Sequence, residues 1–294
     1  MSLTTLAPAA APRAPLNRFR PIKAVLATPS GLFGLGVVLL ITLAALLAPW
    51  LAPCDPDAQF SGLRLMPAGT PGHPLGTDEL SRDLLSRVLF GARISLLVGL
   101  TSVGAGAGLG ILAGLVSGMG GRLIDTLLMR GCDILLAYPG ILLGVITVAI
   151  LGPGLAQICI AVALVNLPIF ARLMRASVLR ERELDYVKAA MVQGTGLWRI
   201  MLRHVMPNSI GVVITQLASA AGHAILLEAS LSFIGLGIKP PAASWGSMLS
   251  NSRDYLTAAP LYAVVPGLML LLLVLGLNQL GDAMHKALDP MGTR

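Results

Sequence analysis

The fold is decided by residues 134–171, whose sequence is ILLAYPGILLGVITVAILGPGLAQICIAVALVNLPIFA, because none of these 38 positions carries a charged side chain. One membrane crossing needs about 20 predominantly apolar residues, so the stretch is too long for a single span. The Gly152-Pro153-Gly154 triplet interrupts it near the middle, and glycine and proline together mark a turn. We therefore predict two membrane-spanning helices joined by a tight turn.

Four further segments have the length and apolar character of a membrane span. Residues 32–52, 95–117 and 255–281 contain no charge, and residues 210–238 contain a single acid, Glu228. The sequence thus predicts an all-α integral membrane protein with six spans. The sequence divides into an N-terminal segment 1–29, a first span 30–52, an outer loop 53–93, a core 94–281 and a tail 282–294. The core includes the loops 172–209 and 239–254.

The overall composition excludes an ordinary soluble domain. Hydrophobic residues make up 55% of the 294 residues and charged residues only 12%, with a mean hydropathy of +0.80, whereas globular chains carry roughly 25% charged residues. Cys54, Cys132 and Cys159 lie too far apart for a disulfide framework or a pair of metal ligands, so no metal site is predicted. The net charge of +7 is typical of basic cytoplasmic loops and gives no reason to expect a nucleic-acid partner.

The distribution of basic residues predicts the orientation. Six spans put both termini on one side, and placing that side in the cytoplasm leaves 15 of the 21 Lys and Arg residues inside, as the positive-inside rule requires. The first span also has features of a cleavable signal, but it is longer than the 7–15 residues of a typical signal core, so we expect a retained anchor. The inside residues are Arg13, Arg18, Arg20, Lys23, Arg122, Arg130, Arg172, Arg175, Arg180, Arg182, Lys188, Arg199, Arg203, Lys286 and Arg294.

The predicted cytoplasmic connection 172–209 has the pattern of two short helices around a turn. Acidic residues precede the first helix, Gly194-Thr195-Gly196 marks the turn, and Pro207 marks the end of the second helix. The second helix carries an apolar stripe with i, i+3, i+4, i+7 spacing, which consists of Trp198, Met201, Leu202 and Val205. Such a helix either lies on lipid headgroups or docks in the groove of a partner protein.

This connection resembles the EAA loop of ABC importer permeases, in the form found in the dipeptide/oligopeptide/nickel branch. The resemblance rests on the sequence DYVKAA at 185–190, on Gly194 and on RHVMPN at 203–208, with departures at Lys188, His204 and Met206. It implies that helix 184–207 couples the chain to an ATPase subunit. The coupling residues implied are Asp185, Tyr186, Ala189, Ala190, Gly194, Trp198, Met201, Leu202, Arg203 and Pro207.

The outer segments resemble the C-type subunit of the same permeases. The similar stretches are 73–83, 90–96, 227–237, 240–246 and 253–256, so that the resemblance covers roughly residues 70–290 and implies a type I permease fold. Ser81 stands where these subunits usually have glycine. Thr77 and Asp78 predict the start of an amphipathic helix, whose apolar stripe is Leu84, Leu85, Val88 and Leu89.

Several polar and small residues inside the spans are candidates for function or packing. Glu228, the one acid well inside a span, is a structural polar contact, a lining residue of the substrate path or a proton relay. Weaker candidates for the path are Asn166, Gln216 and Asn278. Gly106, Gly110, Gly114 and Gly118 recur every four residues, which allows close helix packing either within this chain or against a second permease subunit.

The outer loop 239–254 contains candidates for contact with a binding protein, namely Trp245, Met248 and Arg253. Trp245 and Tyr255 are alternatively anchors at the membrane interface.

Together the resemblance implies a multi-pass permease subunit in a bacterial cytoplasmic membrane. The chain has no G-x-x-x-x-G-K-[ST] phosphate loop, so it is not expected to be an enzyme or to hold a cofactor, and ATP and Mg²⁺ are expected on separate subunits. The implied partners are a second, B-type permease subunit, two ABC ATPase subunits and an extracytoplasmic binding protein. Di- and oligopeptides are the favoured substrates, nickel chelates or other small amides the alternative, and an ion-coupled carrier or a membrane enzyme the remaining classes.

Overall fold

The computed structural model describes residues 25–288 of the chain, and this part is helical almost throughout. The expectations for Arg13, Arg18, Arg20, Lys23 and Arg294 lie outside the described residues. The helices are α1 (Pro29–Leu46), α2 (Ala48–Leu51), α3 (Leu84–Met119), α4 (Arg122–Leu136), α5 (Gly140–Leu151), α6 (Leu155–Glu181), α7 (Asp185–Val192), α8 (Leu197–Leu236), α9 (Trp245–Ser252) and α10 (Leu261–Leu288).

All six predicted membrane crossings are present if one bent pair of helices is counted as a single span. Helices α1, α3, α6, α8 and α10 are each long and apolar enough to cross a membrane, and α4 and α5 pass the same test together. The break predicted at residues 152–154 is confirmed, because α5 ends at Leu151 and α6 begins at Leu155. The fold is therefore the predicted all-α membrane architecture.

The apolar stretch 134–171 contains a second break, between α4 and α5, that we did not predict. Helices α4 and α5 meet at an angle of 93°, and Pro139 caps the start of α5. Proline has no backbone N–H and disfavours a helical residue before it, which explains the break. Helix α4 is amphipathic, and ion pairs hold its acidic face against α6: Arg175 Nε lies 2.5 Å from Asp125 Oδ1, and Arg172 Nη2 lies 2.6 Å from Asp133 Oδ1.

Two helix boundaries differ from the prediction. The amphipathic segment and the second span form the single helix α3 of 36 residues, about 54 Å long. Its N-cap is Asp83, whose Oδ2 accepts a hydrogen bond from the Ser86 amide at 2.7 Å, so the predicted start at Thr77 and Asp78 is wrong. Helix α8 likewise continues through Pro207 instead of ending there.

The π-helical turn Met201–Val205 explains why Pro207 does not end α8. A π-helical turn changes the hydrogen-bonding partners of the backbone, and Pro207 follows directly in the first turn of the α-helical segment Met206–Leu231. Proline is tolerated there because its missing N–H would have no required partner.

Helices α3 and α6 pack closely against each other along a ridge of glycines. All four glycines of the predicted ridge face α6: a Cβ at Gly106 would lie 2.8 Å from the Ala163 carbonyl oxygen, and a Cβ at Gly110 would lie 2.6 Å from that of Leu167. Gly114 and Gly118 similarly contact Ala171 and Val178. The ridge therefore packs within this chain, the first of the two alternatives, because side chains at these positions would separate the helices.

A network of buried ion pairs orders the loop 53–83 before α3, which we predict to lie outside. Arg82 Nε lies 2.7 Å from Asp78 Oδ2, and Arg87 Nε lies 3.3 Å from the same oxygen. All three side chains are buried, and buried charges require such partners. Between them, Ser81 adopts the left-handed conformation with φ +60°, which is the conformation that glycine, its usual counterpart in the resembling subunits, adopts without strain.

Candidate functional site

The candidate site is the connection between α6 and α8, which forms the predicted pair of helices around a turn. Helix α7 ends at Val192, Gly194 follows with φ +73°, and α8 begins at Leu197. The positive φ explains why the turn needs glycine, because a Cβ destabilises this region of backbone conformation. Asp185 lies in the first turn of α7, where its charge stabilises the helix dipole, and Ala189 is exposed on that helix, beside the half-buried Ala190.

Tyr186 ties the loop to the two long helices on either side. Its hydroxyl donates a hydrogen bond to Glu181 Oε1 of α6 at 2.6 Å and accepts one from Asn208 Nδ2 of α8 at 2.9 Å. The next residue, Val187, is fully buried and anchors α7 in the core. The loop is therefore attached to both helices by specific contacts, and sequence reasoning did not identify Glu181 or Asn208 as parts of this attachment.

The tip of the loop presents four exposed apolar side chains, which we call the apolar cap. The exposed fractions are 43% for Met191, 89% for Val192, 50% for Leu197 and 59% for Trp198. Helix α7 contributes the first two side chains and the beginning of α8 the other two. Of these residues the sequence identified only Trp198, because the cap forms across the turn and has no single helical periodicity.

The predicted docking stripe on α8 is divided by the structure. Trp198 and Leu202 are exposed, whereas Met201 and Val205 are buried in the core of this chain, so the prediction that Met201 faces a partner is wrong. A π-helical turn spans Met201–Val205, so the regular helical spacing on which the predicted stripe rests does not hold throughout this segment. Arg203 and Pro207 remain exposed.

Charged side chains surround the base of α7. Lys188 Nζ lies 3.2 Å from Glu183 Oε2, and this hydrogen bond and charge lower the pKa of Glu183, with Arg182 as a weaker contributor. Arg182 also donates from Nη1 to the Gly118 carbonyl oxygen at 2.8 Å, which links the loop to the end of α3. Lys188, which departs from the family pattern, thus has an acidic partner within the chain.

Glu228 is enclosed near the C-terminal end of α8. Its exposed fraction is 0%, and Oε1 accepts a hydrogen bond from Ser232 Oγ at 2.8 Å. Helix α9 covers the adjacent turn so closely that a Cβ at Gly246 would lie 2.7 Å from Ala229 Cα. This geometry agrees with a structural polar contact, and a role for Glu228 in the substrate path stays a prediction.

The three amides proposed for the path lie on different helices. Asn166 Nδ2 donates to the Val162 carbonyl oxygen of its own helix at 2.9 Å. Asn278 Oδ1 would lie 3.1 Å from a Cβ at Gly222, so it packs between α10 and α8. Gln216 is half-buried on α8. Their roles in the path stay predictions.

The loop 239–254, which we predict to lie outside, differs from the prediction at two of three residues. Trp245 and Met248 have exposed fractions of 0% and 1%, so the expectation that they contact a binding protein is wrong, as is that of Trp245 as an interfacial anchor. The Trp245 ring packs on Gly91, and its Nε1 donates to the Val88 carbonyl oxygen at 3.0 Å. Arg253 is exposed, with its guanidinium 4.3 Å from the centre of the Phe233 ring.

Comparison with solved structures supports the fold. The chain aligns with a structure titled as an inward-facing conformation of the MetNI methionine ABC transporter, with a TM-score of 0.52 and 17% sequence identity over 67% of this chain and 96% of that one. At this identity the similarity concerns the fold alone.

Sequence comparisons identify the family. Residues 109–291 match the binding-protein-dependent transport system inner membrane component, and residues 26–68 match the N-terminal TM domain of oligopeptide transport permease C. The di/tripeptide transport system permease protein DppC of Pseudomonas aeruginosa is 47% identical, covering 87% of this chain and 86% of the relative. The glutathione transport system permease protein GsiD of Pectobacterium atrosepticum is 40% identical, covering 95% and 92%.

These matches do not favour an ion-coupled carrier, and they place the chain among multi-pass inner membrane proteins with the type I ABC permease fold. The chain belongs to the family of binding-protein-dependent transport system inner membrane components.

Proposed function

We propose that this chain is the C-type permease subunit of an ATP-driven importer of di- and oligopeptides. It pairs with a B-type permease subunit, receives its substrate from an extracytoplasmic binding protein and has both termini in the cytoplasm. Relatives named for di/tripeptide, dipeptide and glutathione transport support a peptide substrate, since glutathione is itself a tripeptide.

The apolar cap is the observation that carries the coupling role. Trp198 is more than half exposed beside Met191, Val192 and Leu197, at the tip of a loop that we predict to be cytoplasmic. A tryptophan surrounded by apolar neighbours is typical of the centre of a protein interface, and short apolar helices commonly dock in grooves. The groove belongs to one of two ATPase subunits, which bind the ATP and Mg²⁺ that this chain is not expected to hold.

Coupling follows from the attachment of the loop. ATP binding moves the ATPase subunits, and the moving groove displaces the cap together with α7. Tyr186 transfers this displacement to α6 through Glu181 and to α8 through Asn208. The spans then open the path alternately to the two sides of the membrane, while the binding protein delivers peptide from outside.

The test is the substitution Trp198→Asp in the assembled transporter. A buried interface tryptophan contributes about 2 kcal/mol or more, so the ATPase subunits should bind roughly 30-fold more weakly. Co-purification in mild detergent measures binding, and growth on a dipeptide as the sole source of a required amino acid measures uptake. Gly194→Asp should have the same effect on uptake, because its φ of +73° strains any residue with a Cβ.

Leu80→Asp is the matched control, since Leu80 is an exposed apolar residue, 46% accessible, on the predicted outer loop. It should leave ATPase binding unchanged. Normal uptake by a well-expressed Trp198→Asp variant would refute the coupling role. Loss of membrane insertion without loss of ATPase binding would instead identify the apolar cap as a lipid-binding surface.

A further inference from the structure

Three side chains with metal-binding chemistry converge on the outer side of the chain, at the N-terminus of α3. Cys54, His73 and Asp83 each offer one ligand atom, and these three atoms lie within 4.8 Å of one another. The residues come from separate parts of the chain: Cys54 from the start of the loop 53–93, His73 from its middle and Asp83 from the N-cap of α3. Because their spacing in the sequence follows no metal-binding motif, only the folded chain brings them together.

The geometry of the cluster is close to that of a zinc site. His73 Nδ1 and Asp83 Oδ1 are 3.0 Å apart, whereas two ligands about 2.0–2.2 Å from one tetrahedral Zn²⁺ are separated by roughly 3.3–3.5 Å. Cys54 Sγ lies within 4.8 Å of the other two ligand atoms, and a sulfur about 2.3 Å from the same Zn²⁺ would lie roughly 3.6 Å from them, so the thiol would need to approach by at most about 1 Å. Cys54 is only half-buried, so its side chain has room to move and the site has an opening to solvent.

The surroundings hold the carboxylate ligand in place. Asp83 Oδ2 accepts hydrogen bonds from the Ser86 amide and from Ser86 Oγ, both at 2.7 Å, which leaves Oδ1 directed toward His73. Such hydrogen bonds to a ligand orient it and are typical of metal centres. Asp83 is 0% exposed and His73 4% exposed, so two of the three ligands are fixed within the fold.

We propose that Cys54, His73 and Asp83 bind a Zn²⁺ ion that fastens the outer loop to the start of α3. A thiolate, an imidazole and a carboxylate together suit zinc, and a water molecule completes a four-coordinate site. On binding, the thiol releases its proton to solvent, and the imidazole proton moves from Nδ1 to Nε2 so that Nδ1 can donate its lone pair to the metal. The ion closes the chain between residues 54 and 83, and it does not depend on the proposed transport function.

The test uses the full-length chain in detergent, freed of metal with a chelator and titrated with Co²⁺ as a spectroscopic substitute for Zn²⁺. We expect about one equivalent to bind, with a near-ultraviolet charge-transfer band from thiolate to cobalt that Zn²⁺ abolishes by displacement. Cys54→Ser should remove this band and weaken metal binding at least tenfold. His73→Gln should weaken metal binding by the same factor. If His73→Gln fails to fold, Cys54→Ser still tests the site.

The two other cysteines supply matched controls. Cys132 is buried on α4, and Cys159 is half-buried on α6 beside Thr101, so Cys132→Ser and Cys159→Ser should both keep the charge-transfer band. Trypsin cleavage after the exposed Arg64 of the outer loop should become slower when Zn²⁺ is added to the unsubstituted chain but not to Cys54→Ser. Binding of less than about 0.1 equivalent, or a band that survives in Cys54→Ser, overturns the proposal.

Discussion

Gly110→Ala tests whether α3 and α6 are held together by the glycine ridge. The added Cβ would lie 2.6 Å from the Leu167 carbonyl oxygen, 2.7 Å from Phe170 Cβ and 3.0 Å from the Ala171 amide nitrogen. Favourable carbon contacts lie at about 3.5–4.0 Å, so the two helices must separate by somewhat less than 1 Å. Overpacking of this kind costs typically 1–3 kcal/mol, which is larger than the gain of about 0.5–1 kcal/mol that alanine brings to a helix, so the variant should be less stable.

Gly108→Ala is the control for this prediction, because Gly108 lies on the same helix with nothing within 4 Å of its Cβ position. Alanine in a helix is more stable than glycine by about 0.5–1 kcal/mol, so this variant should be unchanged or slightly stabilised. Because both variants gain the helix propensity of alanine, the difference between them equals the overpacking cost alone, about 1–3 kcal/mol.

Denaturant unfolding of the purified chain in detergent, followed by tryptophan fluorescence, measures both free energies. Equal stabilities for Gly110→Ala and Gly108→Ala would contradict the close approach of α3 and α6. A larger loss of stability for Gly108→Ala would indicate that the exposed face of α3, not the ridge, makes the closer contact.

Three further substitutions address the loop before α3, the start of α9 and the attachment of α7 to its neighbouring helices. Ser81→Gly should stabilise the chain by about 1 kcal/mol, because it removes the strain of a side chain at φ +60°, and thermal unfolding measures the gain. Trp245→Phe should cost about 1 kcal/mol, because it removes the buried hydrogen bond that Nε1 donates to the Val88 carbonyl oxygen, yet it should leave binding-protein affinity unchanged in a pull-down. Tyr186→Phe should preserve ATPase co-purification but reduce uptake, because it removes the hydrogen bonds to Glu181 and from Asn208.

The membrane architecture could be predicted from the sequence because lipid imposes one strong requirement on composition. A run of about 20 uncharged residues suffices to identify a span, and the Gly152-Pro153-Gly154 break followed from the conformational preferences of glycine and proline. The break before Pro139 follows from the same preferences, and the Pro139-Gly140 dipeptide was a signal for it. It was missed because the apolar run continues on both sides.

The environment of individual side chains could not be predicted in the same way. Trp245 lies in a sequence that is compatible with an exposed amphipathic helix, but its burial depends on space left by Gly91, more than 150 positions earlier in the chain. The exposure of the stripe that begins at Trp198 could not be derived from helical spacing, because the segment contains the π-helical turn Met201–Val205, which the sequence analysis did not identify. The Cys54 cluster likewise depends on how the outer loop folds onto Asp83.

The attachment of α7 determines whether the loop can transmit motion. A helix of eight residues is unstable by itself in water, so a force applied to its tip would unfold it if nothing else held it. The burial of Val187 and the hydrogen bonds of Tyr186 to Glu181 and from Asn208 tie α7 to α6 and α8. Helix α6 is in turn packed against the glycines of α3, so displacement of the apolar cap moves helices that are already packed together. We infer that this connected packing lets the loop transmit motion, which a flexible linker could not do.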